Sequence, residues 1–274
     1  MTPPVHISDP DDPRIAVFRD VRERDLAGRA AGFIAEGEVV LNALARSPLH
    51  RAGKVLIAEK RLPRLAPLIE QLGSSVLLYT AAQPVMDAIV GFPIHRGILG
   101  WGERASAPSA EALLRTCAGD SMVLALFGIA NHDNIGGIFR NAAAFGVSAI
   151  LLDATCCDPL YRKAIRVSVG AALCVPFARL AAHDDPVSLL QAHGFTPLAL
   201  SPAGDTPLSA LARPCRAAVL LGAEGLGLPA DVLIRARTVG IPMAGGFDSL
   251  NVATTSGIVL HHLASMIGTD KTGG

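Results

Sequence analysis

No apolar run in the 274 residues reaches the length of ~18–20 that a helix needs to cross a bilayer. The opening stretch, MTPPVHISDPDDPR, is polar and acidic and has no apolar signal core, so the expectation is a cytoplasmic protein that engages no membrane. Disulfides and metal are equally unexpected. The five cysteines (Cys117, Cys156, Cys157, Cys174 and Cys215) form no CxxC pair and no zinc-like spacing, and their odd number in a reducing compartment reads as buried thiols. His261 and His262 are adjacent on a helix-like stretch and point ~100° apart, which is poor geometry for sharing a metal ion. Nucleotide fingerprints are missing too. There is no GxGxxG and no GxxxxGK[ST], which counts against a small-molecule enzyme of the nucleotide-binding α/β type. Aromatic residues make up only 4%, and there is no internal repeat.

Half of the residues are hydrophobic, rich in Ala, Leu, Val and Ile, and this suits α/β layers. Net charge is zero but unevenly spread. Residues 14–64 carry 11 Lys/Arg against 6 Asp/Glu, residues 65–274 carry 13 against 15, and the first 13 carry none against 3. A basic front part on a neutral body favours a polyanion docking there, with Arg14, Arg19, Arg22, Arg24 and Arg29 as candidate phosphate contacts.

Residues 1–13, with four prolines among three aspartates, read as a flexible arm. Residues 14–102 read as a compact α/β unit. It begins loosely around Gly28 and Gly32 and becomes an amphipathic helix from Glu36. Strands follow at 54–59, 75–79 and 97–101, with helices at 64–72 and 83–90. Residues 103–119 read as a linker, its core the small polar stretch ERASAPS. From 120 to 270 strand and helix alternate. Apolar runs at 122–129, 149–152, 195–200, 217–222 and 239–243 predict a mostly parallel sheet covered on both faces.

Three stretches of this second part carry the chemistry. In ANHDNIGGIFRN (130–141) a strand ends in a polar turn and a helix begins, with Asn134 as its expected cap. His132 and Asp133 read as part of the turn. Gly136 and Gly137 cost about 1 kcal/mol each against alanine, which is tolerated where something must come close. Arg140 stands on an otherwise apolar helix. LLGAEGLGLP (220–229) runs from a strand into a Gly-rich turn holding Glu224. IPMAGGFDSLNVATTSGI (241–258) passes through a glycine bend and a polar patch, where Asp248 or Ser249 can cap the helix that follows, and Ser249 and Asn251 converge at its mouth.

In this order, the three stretches resemble the SpoU (TrmH-type) family of RNA ribose 2′-O-methyltransferases, of the SPOUT superfamily. The resemblance covers about 120–268. More loosely, AGFIAEGEVVLNAL and FPIHRGILG in 25–102 resemble the ribosomal-protein-like substrate-binding domain that often precedes the catalytic one. The resemblance implies a C-terminal trefoil-knotted domain, S-adenosyl-L-methionine held in the knot, RNA (rRNA or tRNA) as partner, and a homodimer with its active site at the subunit interface. It implies Arg140, Asn134, Glu224, Ser249 and Asn251 as catalytic residues and Gly222, Ile241, Leu250, Met243 and Gly245 as cofactor-binding residues, with no metal. Arginine stays protonated in proteins, so Arg140 is expected to bind phosphate and orient the 2′-hydroxyl rather than to act as a free base. One departure is visible. The family commonly follows SLN with V-S-V-A, whereas here Val252-Ala253-Thr254-Thr255 stands, so a serine hydroxyl is lost and Thr254 and Thr255 are the candidates to replace it. The competing reading is a catalytically silent RNA- or ribosome-binding protein on the same fold.

Overall fold

The computed structural model describes residues 3–19, 32–245 and 249–266. The chain forms two units that are not simply consecutive: residues 1–106 with 159–174, and residues 107–158 with 175–274. Pro159–Cys174, expected within a 120–270 domain, is gathered by its contacts with the first unit.

The first unit is a five-stranded mixed sheet. Its elements are β1 (Val5–Ile7), β2 (Gly32–Glu36), α1 (Glu38–Ala45), β3 (Arg51–Ala58), α2 (Leu62–Leu72), β4 (Leu77–Ala81), α3 (Gln83–Val90) and β5 (Ile98–Glu103). The strand order is β1-β4-β3-β5-β2, with β1 and β3 parallel to β4 and β5 antiparallel to both β3 and β2. Residues 1–13 therefore do not form a flexible arm throughout. Val5–Ile7 pairs with Tyr79–Ala81 at the sheet edge, and Ile7 is buried in the core with Leu56, Tyr79 and Met86. The prolines flank this strand rather than interrupt it, as edge pairing permits. Gly32–Glu36, expected as a loose lead into a helix, is not one. It is a fully buried strand, because Phe33, Ile34 and Ala35 pair with Gly102, Trp101 and Gly100. Gly37, at φ +93, then turns the chain into α1.

Arg14 and Arg19 fold back on the chain's own acidic stretch. Arg14 Nε donates to Asp12 Oδ1 at 2.9 Å, and Arg19 Nη2 donates to the Asp12 carbonyl at 2.8 Å. The Arg14 hydrogen bonds hold the Asp12 carboxyl down at about 2. Arg22, Arg24 and Arg29 lie outside the described residues.

The second unit opens with α4 (Ala110–Thr116), a helix inside what read as linker, capped by Ser109, whose side chain accepts from the Ala112 amide. Then come β6 (Ser121–Leu126), α5 (His132–Ala144), β7 (Ala149–Leu152), α6 (Arg162–Val167), β8 (Phe177–Arg179), α7 (Pro186–Ala192), β9 (Thr196–Leu200), β10 (Thr206–Pro207), β11 (Arg216–Leu221), α8 (Ala230–Arg235), β12 (Arg237–Gly240) and α9 (Val252–Ser265). Of these, α6 belongs to the first unit, where Arg162 Nε donates to Glu36 Oε2 at 3.0 Å. The sheet runs β10-β12-β9-β11-β6-β7-β8 and every pairing is parallel. Val123, Ala125, Leu151, Ala218 and Leu220 pack with residues of α4 and α7. Their alternates Met122, Leu124, Ile150, Val219 and Leu221 are buried as well, so both faces are covered. Among the described residues no helix is long and apolar enough to cross a membrane.

Candidate functional site

The site is built where β9, β11 and β12 end. In a parallel sheet these carboxyl ends share one edge, and loops leaving them converge there. A cavity of about 720 Å³ opens at that edge, lined by Leu200–Pro202, Leu221–Leu228, Val239, Ile241, Met243 and Ser249–Val252, with Leu233 and Thr255. Its volume falls in the range typical of small-molecule sites, roughly 300–1,000 Å³.

The loop after β11 is folded tightly on itself. Ala223 bridges Gly227, whose amide donates to the Ala223 carbonyl at 2.9 Å, and Gly225 and Gly227 take positive φ of 86° and 68°. A β-carbon on Gly222 would stand 2.2 Å from the Gly227 carbonyl carbon, against backbone that cannot yield. Glycine is thus required at 222 for the turn to close.

Three side chains from separate parts of the chain meet at and just behind the rim: Asn134 in the first turn of α5, Glu224 in the loop after β11, and Asn251 at the start of α9. Asn251 Nδ2 donates to Asn134 Oδ1 and to Glu224 Oε1, both at 2.8 Å, and Asn134 Nδ2 donates to the same Glu224 oxygen at 3.1 Å. Asn251 is also the cap of α9, its Oδ1 accepting from the amides of Ala253 and Thr254. Asp248, one of the two expected caps, lies outside the described residues, and the cap falls on Asn251 rather than Ser249. Nor does Asn134 cap α5. Asn131 does, accepting from the Asp133 amide at 2.8 Å, which frees buried Asn134 to reach Glu224. Gly137, early in α5, also has a structural cause: a β-carbon there would lie 2.8 Å from the Ala253 methyl, so α9 is the body that comes close. Asn141 holds the same helix pair, donating to the Ala253 carbonyl at 2.8 Å.

Of the ten residues singled out from sequence, seven line the cavity: Glu224, Ser249, Asn251, Gly222, Ile241, Leu250 and Met243. Asn134 sits behind the rim, joined through Glu224. Gly245, at φ +69, is exposed and does not line the cavity. Arg140 is not brought in either. It is exposed on α5, and Ala143 of α5 and Ile258 of α9 are exposed as well. Sequence reasoning missed Ser201 at the end of β9 and Leu226, 93% exposed between its two glycines at the rim. The strand-end rule for parallel sheets was the available signal for Ser201. Among the described residues no group of His, Cys, Asp and Glu could hold a metal ion.

The model of the SpoU rRNA Methylase family matches residues 121–261. An uncharacterized tRNA/rRNA methyltransferase of Mycobacterium bovis is 39% identical over 268 residues, covering 93% of this chain and 90% of the relative. Among solved structures, an AdoMet-bound rRNA methyltransferase from Sinorhizobium meliloti aligns with TM-score 0.78 at 24% identity, covering 95% of this chain and 97% of the other. A SpoU methyltransferase from Streptomyces viridochromogenes, in complex with AdoMet, aligns with TM-score 0.75 at 19% identity over 94% and 99%. These two structural likenesses establish the fold.

Proposed function

Since this chain belongs to the SpoU rRNA Methylase family, we propose that it is an S-adenosylmethionine-dependent RNA methyltransferase acting on a ribose 2′-hydroxyl of rRNA or tRNA. The observation that carries the reading is the strand-end cavity closed by the Gly222 turn and rimmed by Glu224 and Asn251, with Asn134 bonded to both from behind. Gly222, Ile241, Leu250 and Met243 are the residues that would hold the cofactor, with Gly245 nearby in the same loop. Bound there, S-adenosylmethionine supplies a methyl group activated by its sulfonium.

What this chain adds is alignment. Holding two reactants in attack geometry supplies several kcal/mol by itself. Glu224 fixes Asn134 and Asn251, and with Ser249 these hold the loops that face the ribose. Arg140, permanently charged, binds a phosphate and orients the 2′-hydroxyl. Its exposure on α5, outside the cavity, supports a homodimer in which a second copy lays its own α5 across the site. The first unit is the substrate-binding part, and the protein works in the cytoplasm, where its RNA is.

Calorimetric titration with S-adenosylmethionine tests the reading. Micromolar binding by the wild type, abolished in Gly222→Val, is the expected result. A folded protein that binds nothing at millimolar cofactor would leave the catalytically silent RNA-binding reading in its place.

A further inference from the structure

Four polar side chains of the cavity wall are already committed to the protein. Glu224 and Asn251 hold each other, the Ser201 hydroxyl accepts from the Ala203 amide at 3.3 Å, and Ser249 is engaged as well. The fifth is Thr255, half-buried on α9 one turn beyond Asn251 and on the same face. Its amide donates to the Asn251 carbonyl at 2.9 Å in the ordinary helical bond. Its hydroxyl has no hydrogen-bond partner among the described residues. A threonine on a helix usually satisfies its hydroxyl by bonding back to a carbonyl three or four residues earlier. The next residue does this, since Ser256 Oγ donates to the Ala253 carbonyl at 2.7 Å. Thr255 instead lines the cavity with its hydroxyl uncommitted. Thr254, the other threonine in this turn, is exposed and not part of the wall.

We propose that Thr255 is a cofactor-binding residue of this chain, its hydroxyl forming a direct hydrogen bond to S-adenosylmethionine in the cavity. The inference rests on the cofactor reading above and goes beyond it, because Thr255 is not among the residues assigned there to the cofactor. A wall hydroxyl that no protein group engages is free to bond a polar ligand atom seated against it, with no internal bond to break first. The same reasoning makes the hydroxyl, not the methyl, the part that matters.

The test is calorimetric titration of full-length protein with S-adenosylmethionine and, separately, S-adenosylhomocysteine. Thr255→Val keeps the shape and removes the hydroxyl, Thr255→Ser keeps the hydroxyl, and Thr255→Ala serves if valine perturbs folding. Valine and alanine are expected to weaken binding of both ligands by about three- to tenfold, the worth of one hydrogen bond. Serine is expected to bind like the wild type, and the ligand-free thermal midpoints should agree within a few degrees. Wild-type affinity in both Thr255→Val and Thr255→Ala overturns the proposal and leaves the cofactor reading intact. Equal losses in valine and serine overturn it too, because shape would then be the cause. A wild type that binds neither ligand overturns the cofactor reading and this inference with it.

Discussion

Asn251 and Asn134, 117 positions apart, are joined by a hydrogen bond of 2.8 Å from Nδ2 of the first to Oδ1 of the second. With Glu224 accepting from both amides, the bond ties the start of α9 to the start of α5 and to the Gly222 turn.

Replacing Asn251 by aspartate isolates this clasp from the helix cap. Aspartate caps as well as asparagine, but it cannot donate, and it sets a second carboxylate against Glu224. Cofactor affinity is expected to fall at least about tenfold, the equivalent of one lost charged hydrogen bond of ~1.5 kcal/mol. Glu224→Gln in the same protein restores a donor and should recover most of the loss. Titration of the single and double variants checks this; an unchanged Asn251→Asp would remove the clasp from the account.

Gly137→Ala sets two effects against each other. Helix propensity favours alanine by about 1 kcal/mol, while a β-carbon 2.8 Å from the Ala253 methyl forces α5 and α9 apart, and overpacking costs about 1–3 kcal/mol. The net expectation in denaturant melts is destabilisation, reversed by adding Ala253→Gly. A stabilised single variant would show the helix pair to be looser than described.

In the first unit, Glu36 and Arg162 form an ion pair with side chains only 10% exposed, and the guanidinium lies 4.9 Å from the Phe92 ring centroid. Removing one partner, as in Arg162→Met, strands a buried charge and should cost about 3–5 kcal/mol. The Glu36→Gln/Arg162→Met double variant should be milder than either single change, as read from urea midpoints. Additive losses would mean that the pair is not coupled.

Burial pushes the His50 imidazole below its ordinary value, and the Arg104 charge adds to this. The unfolded chain therefore takes up this proton first as pH falls. The contribution is fully present above about 6.5, the unfolded value, and is lost as pH drops below it toward the folded value. Thermal midpoints should decline on acidification through that range, and His50→Asn should flatten that part of the curve. An identical decline in the variant would assign the slope elsewhere.

The thiols of Cys156 and Cys157 are pushed up to about 12 and about 11, chiefly by burial. Thiolates are the reactive form, so iodoacetamide at pH 8 should label exposed Cys215 and spare these two, as mass spectrometry of the native protein would show. Early labelling of Cys156 would contradict its packed position.

Much of the second unit was legible because its strands are buried on both faces and therefore read as unbroken apolar runs, as in MVLAL and AAVLL. Part of the cavity lining was legible because Gly222, Glu224, Ser249 and Asn251 sit in contiguous motifs, although Arg140 and Gly245 of the same motifs fall outside it. What was not legible depended on partners far away in the chain. Val5–Ile7 is a strand only because Tyr79–Ala81 pairs with it, and Gly32–Glu36 only because β5 does. The cap of α5 moved from Asn134 to Asn131 because Glu224, 90 residues on, claims the Asn134 side chain. Pro159–Cys174 reads as a continuation of its neighbours, and nothing local announces that Arg162 answers Glu36, 126 residues away.

The most direct measurement is methyl transfer. Purified protein, labelled S-adenosylmethionine and RNA from a strain lacking the gene would be combined, and the nucleosides analysed by mass spectrometry. A 2′-O-methylated nucleoside is expected with the wild type and none with Arg140→Ala, which should still bind cofactor. A methyl group found on a base, or undiminished transfer by Arg140→Ala, would contradict that expectation.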